Sequence, residues 1–231
     1  MSQYLAELTW PEVHRLASAG AILAVPLGST EQHGPHLPFT TDTDIAVVLC
    51  ERLAAARPDV LVAPPLGYGS SGEHAGFAGT LSIGAAALEL VVLELGRSAF
   101  ETFERVVFVS AHGGNIEAVS RAVRQLRAES RDVHLYLPRW EGDPHAGRAE
   151  TSLLLTLRPQ VVRLDRARPG DTRPLAELMP LLRAGGLRAV TPNGVLGDPT
   201  GASACEGETL LDRLVAALVQ DVQAWCSVVA G

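Results

Sequence analysis

Lysine is absent from this 231-residue chain, and all 19 of its basic side chains are arginine. Against 26 acidic residues they leave a formal charge of -7. That excludes the basic face which nucleic acid or an anionic membrane would require. Exclusive use of arginine, beside abundant Ala, Leu, Val and Gly, reads as GC-rich coding bias. Cysteine is scarce: Cys50, Cys205 and Cys226 are far apart and form no C-x-x-C pair. This argues against a disulfide framework and against a thiolate zinc site. Cys50 falls within an apolar helical pattern and is expected in the core. No apolar run approaches membrane-spanning length. The segment Met1 to Arg15 lacks the basic region and apolar stretch of a signal peptide. A cytoplasmic location is expected. No serine sits in a G-x-S-x-G elbow, and no Ser-His-Asp arrangement is apparent.

What remains is an ordinary globular composition, 47% apolar and 19% charged, in a chain long enough to bury a full core. Repeats, low-complexity tracts and linkers are missing, so a single domain over residues 1–231 is expected. Helix and strand patterns alternate. A short helix is predicted over Pro11–Ser18, a buried strand over Ala21–Leu27 and a helix over Asp42–Ala56. A strand at Val60–Ala63, a helix over Ala85–Phe103 and a strand at Arg105–Ser110 follow. Next come a helix over Asn115–Glu129, a strand at Val133–Leu137 and a helix within His145–Leu157. A short strand is expected at Val161–Leu164. Arg166–Arg188 is ambiguous, Thr191–Ala204 is a Gly/Pro-rich loop, and Gly207–Cys226 is a helix. Such alternation implies right-handed crossovers and a three-layer αβα fold around a mainly parallel sheet.

Titratable residues gather where strands end. Glu31, His33, His36 and Asp42 follow the first strand, with Asp44 close by. His112 follows the third, within His112-Gly113-Gly114-Asn115. His145 and Glu150 follow the fourth. Ligands of open α/β sheets bind at such strand ends. Carboxylates and imidazoles without thiolate suit Zn, Mn or Fe(II). Any one of these histidines alone is more often a loop or core residue; the convergence of several strand ends is what points to a site. Asn115 is expected to cap the helix that follows it. His14 is expected at the surface and His134 in a structural role.

At these residues the chain resembles the creatininase (creatinine amidohydrolase) family. The resemblance is carried by Gly28-Ser29-Thr30-Glu31-Gln32-His33-Gly34-Pro35-His36-Leu37-Pro38, by Asp42, and by Tyr68-Gly69-Ser70-Ser71-Gly72-Glu73-His74 with Gly79-Thr80-Leu81-Ser82. The His112–Asn115 and His145–Thr151 segments complete it. It implies an αβα fold, hydrolysis of amide bonds, two divalent metal ions and a closed homo-oligomer. It places Glu31, Asp42 and His112 on one ion, and His33, Asp42 and a further carboxylate on the other. Creatininase itself has a glutamate where this chain has Gly114, so Glu150 is the expected carboxylate and creatinine is placed in doubt as substrate. His145, flanked by small residues, is the candidate proton carrier to the leaving amine, with Glu73 also expected to be catalytic and Ser71 and His74 to face the substrate. Within the family the resemblance extends to a branch that trims a modified precursor peptide at its C-terminus. Arg148 is then a candidate reader of the terminal carboxylate, with pairing to a helix acid such as Glu150 or Glu141 as the alternative. Hydrolysis of a small cyclic amide or formamide, and a scaffold role without turnover, remain open. The C-terminal helix carries Leu210, Leu211, Leu214, Leu218 and Trp225, which suit core packing or a subunit interface.

Overall fold

The computed structural model describes residues 2–228. Four β-branched and apolar runs form one parallel sheet: β1 (Ile22–Leu27), β2 (Val60–Val62), β3 (Arg105–Ser110) and β4 (Asp132–Tyr136), in the order β2-β1-β3-β4. All of β1 is buried, as a strand covered on both faces must be. Its side chains alternate between two cores. Ile22 and Ala24 face one helical layer, and Leu23, Val25 and Leu27 the other.

Helices α2 (Thr41–Ala56), α5 (Arg148–Leu157) and α7 (Ala204–Val228) cover the first face. Helices α1 (Trp10–Ser18), α3 (Ala85–Ala99) and α4 (Ile116–Ala128) cover the second. The three layers are those read from the alternation of elements. Thr9 and Glu12 close a capping box at the start of α1, which satisfies two amides the helix leaves free.

Several expectations are corrected. Val161–Leu164 is not a strand. Two 3-10 turns, Pro159–Val161 and Leu164–Arg166, run through it, and the amides of Val161 and Val162 bond back to Arg158 O and Pro159 O instead of to a ladder. Helix α3 stops at Ala99, short of the expected Phe103, and residues 100–103 turn so that Phe103 enters the core. The ambiguous stretch contains α6 (Leu175–Gly185). On α7, Leu211, Leu214 and Leu218 are buried against the sheet, with Leu210 and Trp225 packed beside them, so this face is core. His14 is exposed, while His134 bonds Asp221 and stacks on Trp225. Among the described residues, no helix is long and apolar enough to cross a membrane.

Helices α5 and α7 meet closely at Gly207, where an added Cβ would overlap Ser152 O and Thr156 Oγ1. Gly207→Ala should therefore force the helices apart and cost about 1–3 kcal/mol. An unchanged urea unfolding midpoint would show that no such constraint exists.

Candidate metal centre

In the strand order β2-β1-β3-β4 the chain leaves β1 for one side and reaches β3 on the other. The crevice between the carboxyl ends of β1 and β3 is thus the point where ligands of open α/β sheets bind. Glu31 and His33 stand beyond β1, and His112 beyond β3. Asp42 lies in the first turn of α2, and Glu150 in the first turn of α5. All five are buried.

Asp42 is the centre. Its Oδ1 lies 3.3 Å from His33 Nε2, and its Oδ2 lies 3.2 Å from His112 Nδ1. The far nitrogens decide what those contacts are. His33 Nδ1 faces the Glu31 carbonyl at 3.2 Å, and His112 Nε2 faces the Ser70 carbonyl at 3.0 Å. A carbonyl only accepts, so these nitrogens carry the hydrogens. In the neutral imidazoles, lone pairs then point at a carboxylate. That is repulsive unless each ring gains a proton or a cation lies between.

The electrostatics agree. Burial alone would lower the His33 pKa, yet the Asp42 carboxylate lifts it to about 10. Burial is likewise overridden at His112, which Glu31 and Asp42 lift to about 9. Burial pushes Asp42 up, but the two imidazoles hold it well below the usual carboxylate range. Glu31 rises to about 8, through burial and then through Asp42. Burial lifts Glu150 to about 7 against the pull of His33.

Four groups of donor atoms each lie within 4.8 Å: Glu31-Asp42-His112, His33-Asp42-Glu150, Glu31-His33-His145 and Glu31-Glu73-His74. The first two share Asp42 and are fully buried. Glu31 Oε2 is buried with no hydrogen bond, although His112 Nε2 is 3.2 Å away, because that N–H is directed to Ser70. An orphaned buried carboxylate oxygen and lone pairs aimed at a second carboxylate fit divalent cations. Imidazole and carboxylate donors suit Zn, Mn or Fe(II). Gly114 lets His112 approach: a Cβ there would overlap Ser70 O, the Glu73 carboxylate and His112 Nε2. No carboxylate can be delivered from position 114, and Glu150 stands in the second set.

Other expected site residues lie elsewhere. Ser71 Oγ is 3.3 Å from His112 Nε2, and His74 Nε2 is 3.3 Å from Glu31 Oε1. Glu73 Oε1 is 3.9 Å from His112 Nε2. These three flank the donors and do not line the cavity that opens onto Asp42 and Glu150. His36 turns away to Thr151 Oγ1 at 2.9 Å, since its neighbour Gly34 reverses the chain. Asp44 pairs with Arg158 at 2.7 Å. Asn115 does not cap α4. Its side chain accepts from Ser70 N at 2.9 Å and donates to Gly28 O at 3.0 Å, tying both strand ends to the Gly-rich loop. Arg148 is held by Glu206 of α7 at 2.8 Å and borders a different cavity, so neither Glu150 nor Glu141 takes it.

The sequence reading missed Ser29, whose Oγ donates to Asp42 Oδ2 at 2.6 Å. It also missed Gln32. The Gln32 amide donates to His74 Nδ1 and Gly194 O, both at 3.0 Å, and its carbonyl oxygen accepts from Gly34 N. Position between Glu31 and His33 was the available signal. His145 Nε2 faces the Gln32 main-chain carbonyl at 3.0 Å, leaving Nδ1 toward Glu31 Oε1 at 3.8 Å. A cavity of about 670 Å³ opens beside the cluster, floored by Glu31, Asp42, His112, His145 and Glu150.

An αβα sheet with buried carboxylates and imidazoles converging at its topological switch point defines a hydrolase-type centre. The creatininase family, described as creatinine amidohydrolase, matches residues 6–222, and the chain belongs to that family. A mycofactocin precursor peptide peptidase of Mycobacterium ulcerans is 49% identical over 235 residues, covering 96% of this chain and 92% of that protein. A creatinine amidohydrolase of Pseudomonas putida is 32% identical, with 96% of each covered. Solved creatininases described as Zn-Zn and Mn forms superpose with a TM-score of 0.80 at 28% identity, covering 97% of this chain and 98% of theirs.

Two outcomes are expected on metal loading. In the free site at pH 7 both His33 and His112 hold an extra proton, given values of about 10 and 9. Ligation requires the neutral rings, so binding should release protons and tighten as pH rises toward 9. Calorimetry in buffers of different ionisation enthalpy measures this; no proton release at pH 7 contradicts it. Asp42→Ala should lose both ions, and metal analysis showing two retained would remove Asp42 from the bridge.

Proposed function

We propose that this protein is a dinuclear metal-dependent peptide hydrolase which releases a C-terminal dipeptide from a mycofactocin-type precursor peptide. The single observation that supports metal-dependent hydrolysis is the pair of donor sets sharing Asp42 at the floor of an open cavity. The peptide assignment is supported by the 49%-identical relative named as a precursor peptide peptidase.

Glu31, Asp42 and His112 would hold one ion, and His33, Asp42 and Glu150 the other. Bound there, two divalent ions supply Lewis acidity to the amide carbonyl and make a water acidic near neutral pH. Burial holds the His145 imidazole neutral, well below its ordinary value. With its Nε2 hydrogen given to Gln32, His145 takes a proton at Nδ1 and returns it to the leaving amine nitrogen. Gln32 and His74 hold the ring in place: the His145 and His74 rings meet edge to face at 4.6 Å. Ser71 and Glu73, from behind the donors, orient His112.

Ring-opening of a small cyclic amide is the second reading, supported by the Pseudomonas putida relative. Mass spectrometry of the metal-loaded protein with precursor peptide and with creatinine separates the two. Loss of a dipeptide mass is expected; turnover of creatinine alone would replace the peptidase reading. His145→Ala should lower kcat by about 10²–10⁴-fold while retaining both metals. Undiminished turnover would remove His145 from proton transfer.

A further inference from the structure

The cavity beside the metal centre has a second end. Beyond the donor floor its wall is built from the segment after β4, residues 137–144, and from residues 171–175. Four charged side chains stand there: Arg139, Asp143, Asp171 and Arg173. Three are already engaged. Arg173 forms a fork with Asp171, with contacts of 3.0, 3.1 and 2.6 Å. Asp143 accepts from the main-chain amides of Arg148 and Asp198 at 2.8 and 3.1 Å. Arg139 is different: among the described residues no hydrogen bond, ion pair or ring contact engages its guanidinium.

A free guanidinium on the wall of a ligand cavity has a definite chemistry. It stays charged, carries five N–H donors and matches a planar carboxylate with two parallel bonds. The floor offers donors for ions that would polarise a scissile carbonyl, and the wall offers a cation for an anion. A ligand that satisfies both carries an amide carbonyl at one end and a carboxylate at the other. A peptide C-terminus has this form; a neutral cyclic amide does not. Two residues extend about 7 Å, and Arg139 lines the same cavity of about 670 Å³ as the donors. Arg139 and Trp140 also border the adjoining cavity against α7, so the guanidinium stands at the junction of both spaces.

We propose that Arg139 is the specificity-determining residue that binds the free C-terminal carboxylate of the substrate and so sets the distance from the terminus to the cut. This inference rests on the peptidase reading. It also moves carboxylate recognition from Arg148, which Glu206 occupies, to Arg139 at the start of the segment after β4.

The test uses the full metal-loaded protein, as wild type, Arg139→Ala and Arg139→Lys. Each is assayed with one synthetic precursor peptide, prepared as the C-terminal acid and as the C-terminal amide. Wild type should prefer the acid, and Arg139→Ala should lose on the order of 10- to 100-fold in kcat/KM on it, mainly through KM. On the amide the same variant should change less than about threefold, and Arg139→Lys should recover part of the preference. Equal losses on both peptides, or no acid preference in wild type, would overturn the proposal. A second arm titrates the precursor's C-terminal dipeptide, as acid and as amide, into the same proteins. If wild type cleaves neither peptide, the peptidase reading falls and this arm decides Arg139 by itself. Acid-selective binding lost in Arg139→Ala sustains the carboxylate site; binding indifferent to the substitution removes it.

Discussion

One buried carboxylate between two imidazoles organises this molecule. Asp42 meets His33 on one oxygen and His112 on the other, and both rings have given their remaining hydrogen to a main-chain carbonyl. Ser29 Oγ gives Asp42 one hydrogen bond, but a hydroxyl brings no charge to offset the carboxylate. The arrangement therefore demands positive charge, either as protons on the rings or as cations among the donors. Buried charge without compensation costs several kcal/mol, so the sheet, the helices and the glycine-rich connections must all be read as what holds the demand in place.

The holding is distributed. Ser29 orients Asp42, and Asn115 spans from Gly28 to Ser70, so hydrogen bonds tie the ends of β1 and β3 to the loop carrying Ser71 to His74. On the other side, the chain around His145 pairs with Leu196 through both main-chain bonds, at 3.4 and 2.9 Å. Asp171 and Gly197 extend that contact. Glu150 Oε2 also accepts from Ala146 N at 2.6 Å. Ala146 sits at φ 52, a left-handed conformation that a non-glycine residue keeps only when its surroundings require it. The same carboxylate thus serves the donor set and the bend that brings His145 to it.

Much of this was legible in the residues. β-branched runs such as Val106-Val107-Phe108-Val109 announce buried parallel strands, and titratable residues placed just past them land at one sheet edge because all strands run the same way. The proximity of Glu31, His33, Asp42, His112 and Glu150 follows from that rule. Side-chain direction does not. Two residues after Gly34, His36 points to Thr151; Asn115 reaches across to another strand instead of its own helix; Arg148 turns outward to a glutamate 58 positions later. Each depends on a partner that only the tertiary fold supplies. Arg139 was invisible for the opposite reason: its importance lies in having no partner, which a sequence does not display.

The position of Glu150 on α5 makes the C-terminal helix part of the frame of the centre. That helix, α7, lies close against α5 at Gly207, and it packs on α2 as well. Asp42 stands on α2 and Glu150 on α5. The helix latest in chain order among the described residues thus braces two candidate donors that lie far apart in sequence.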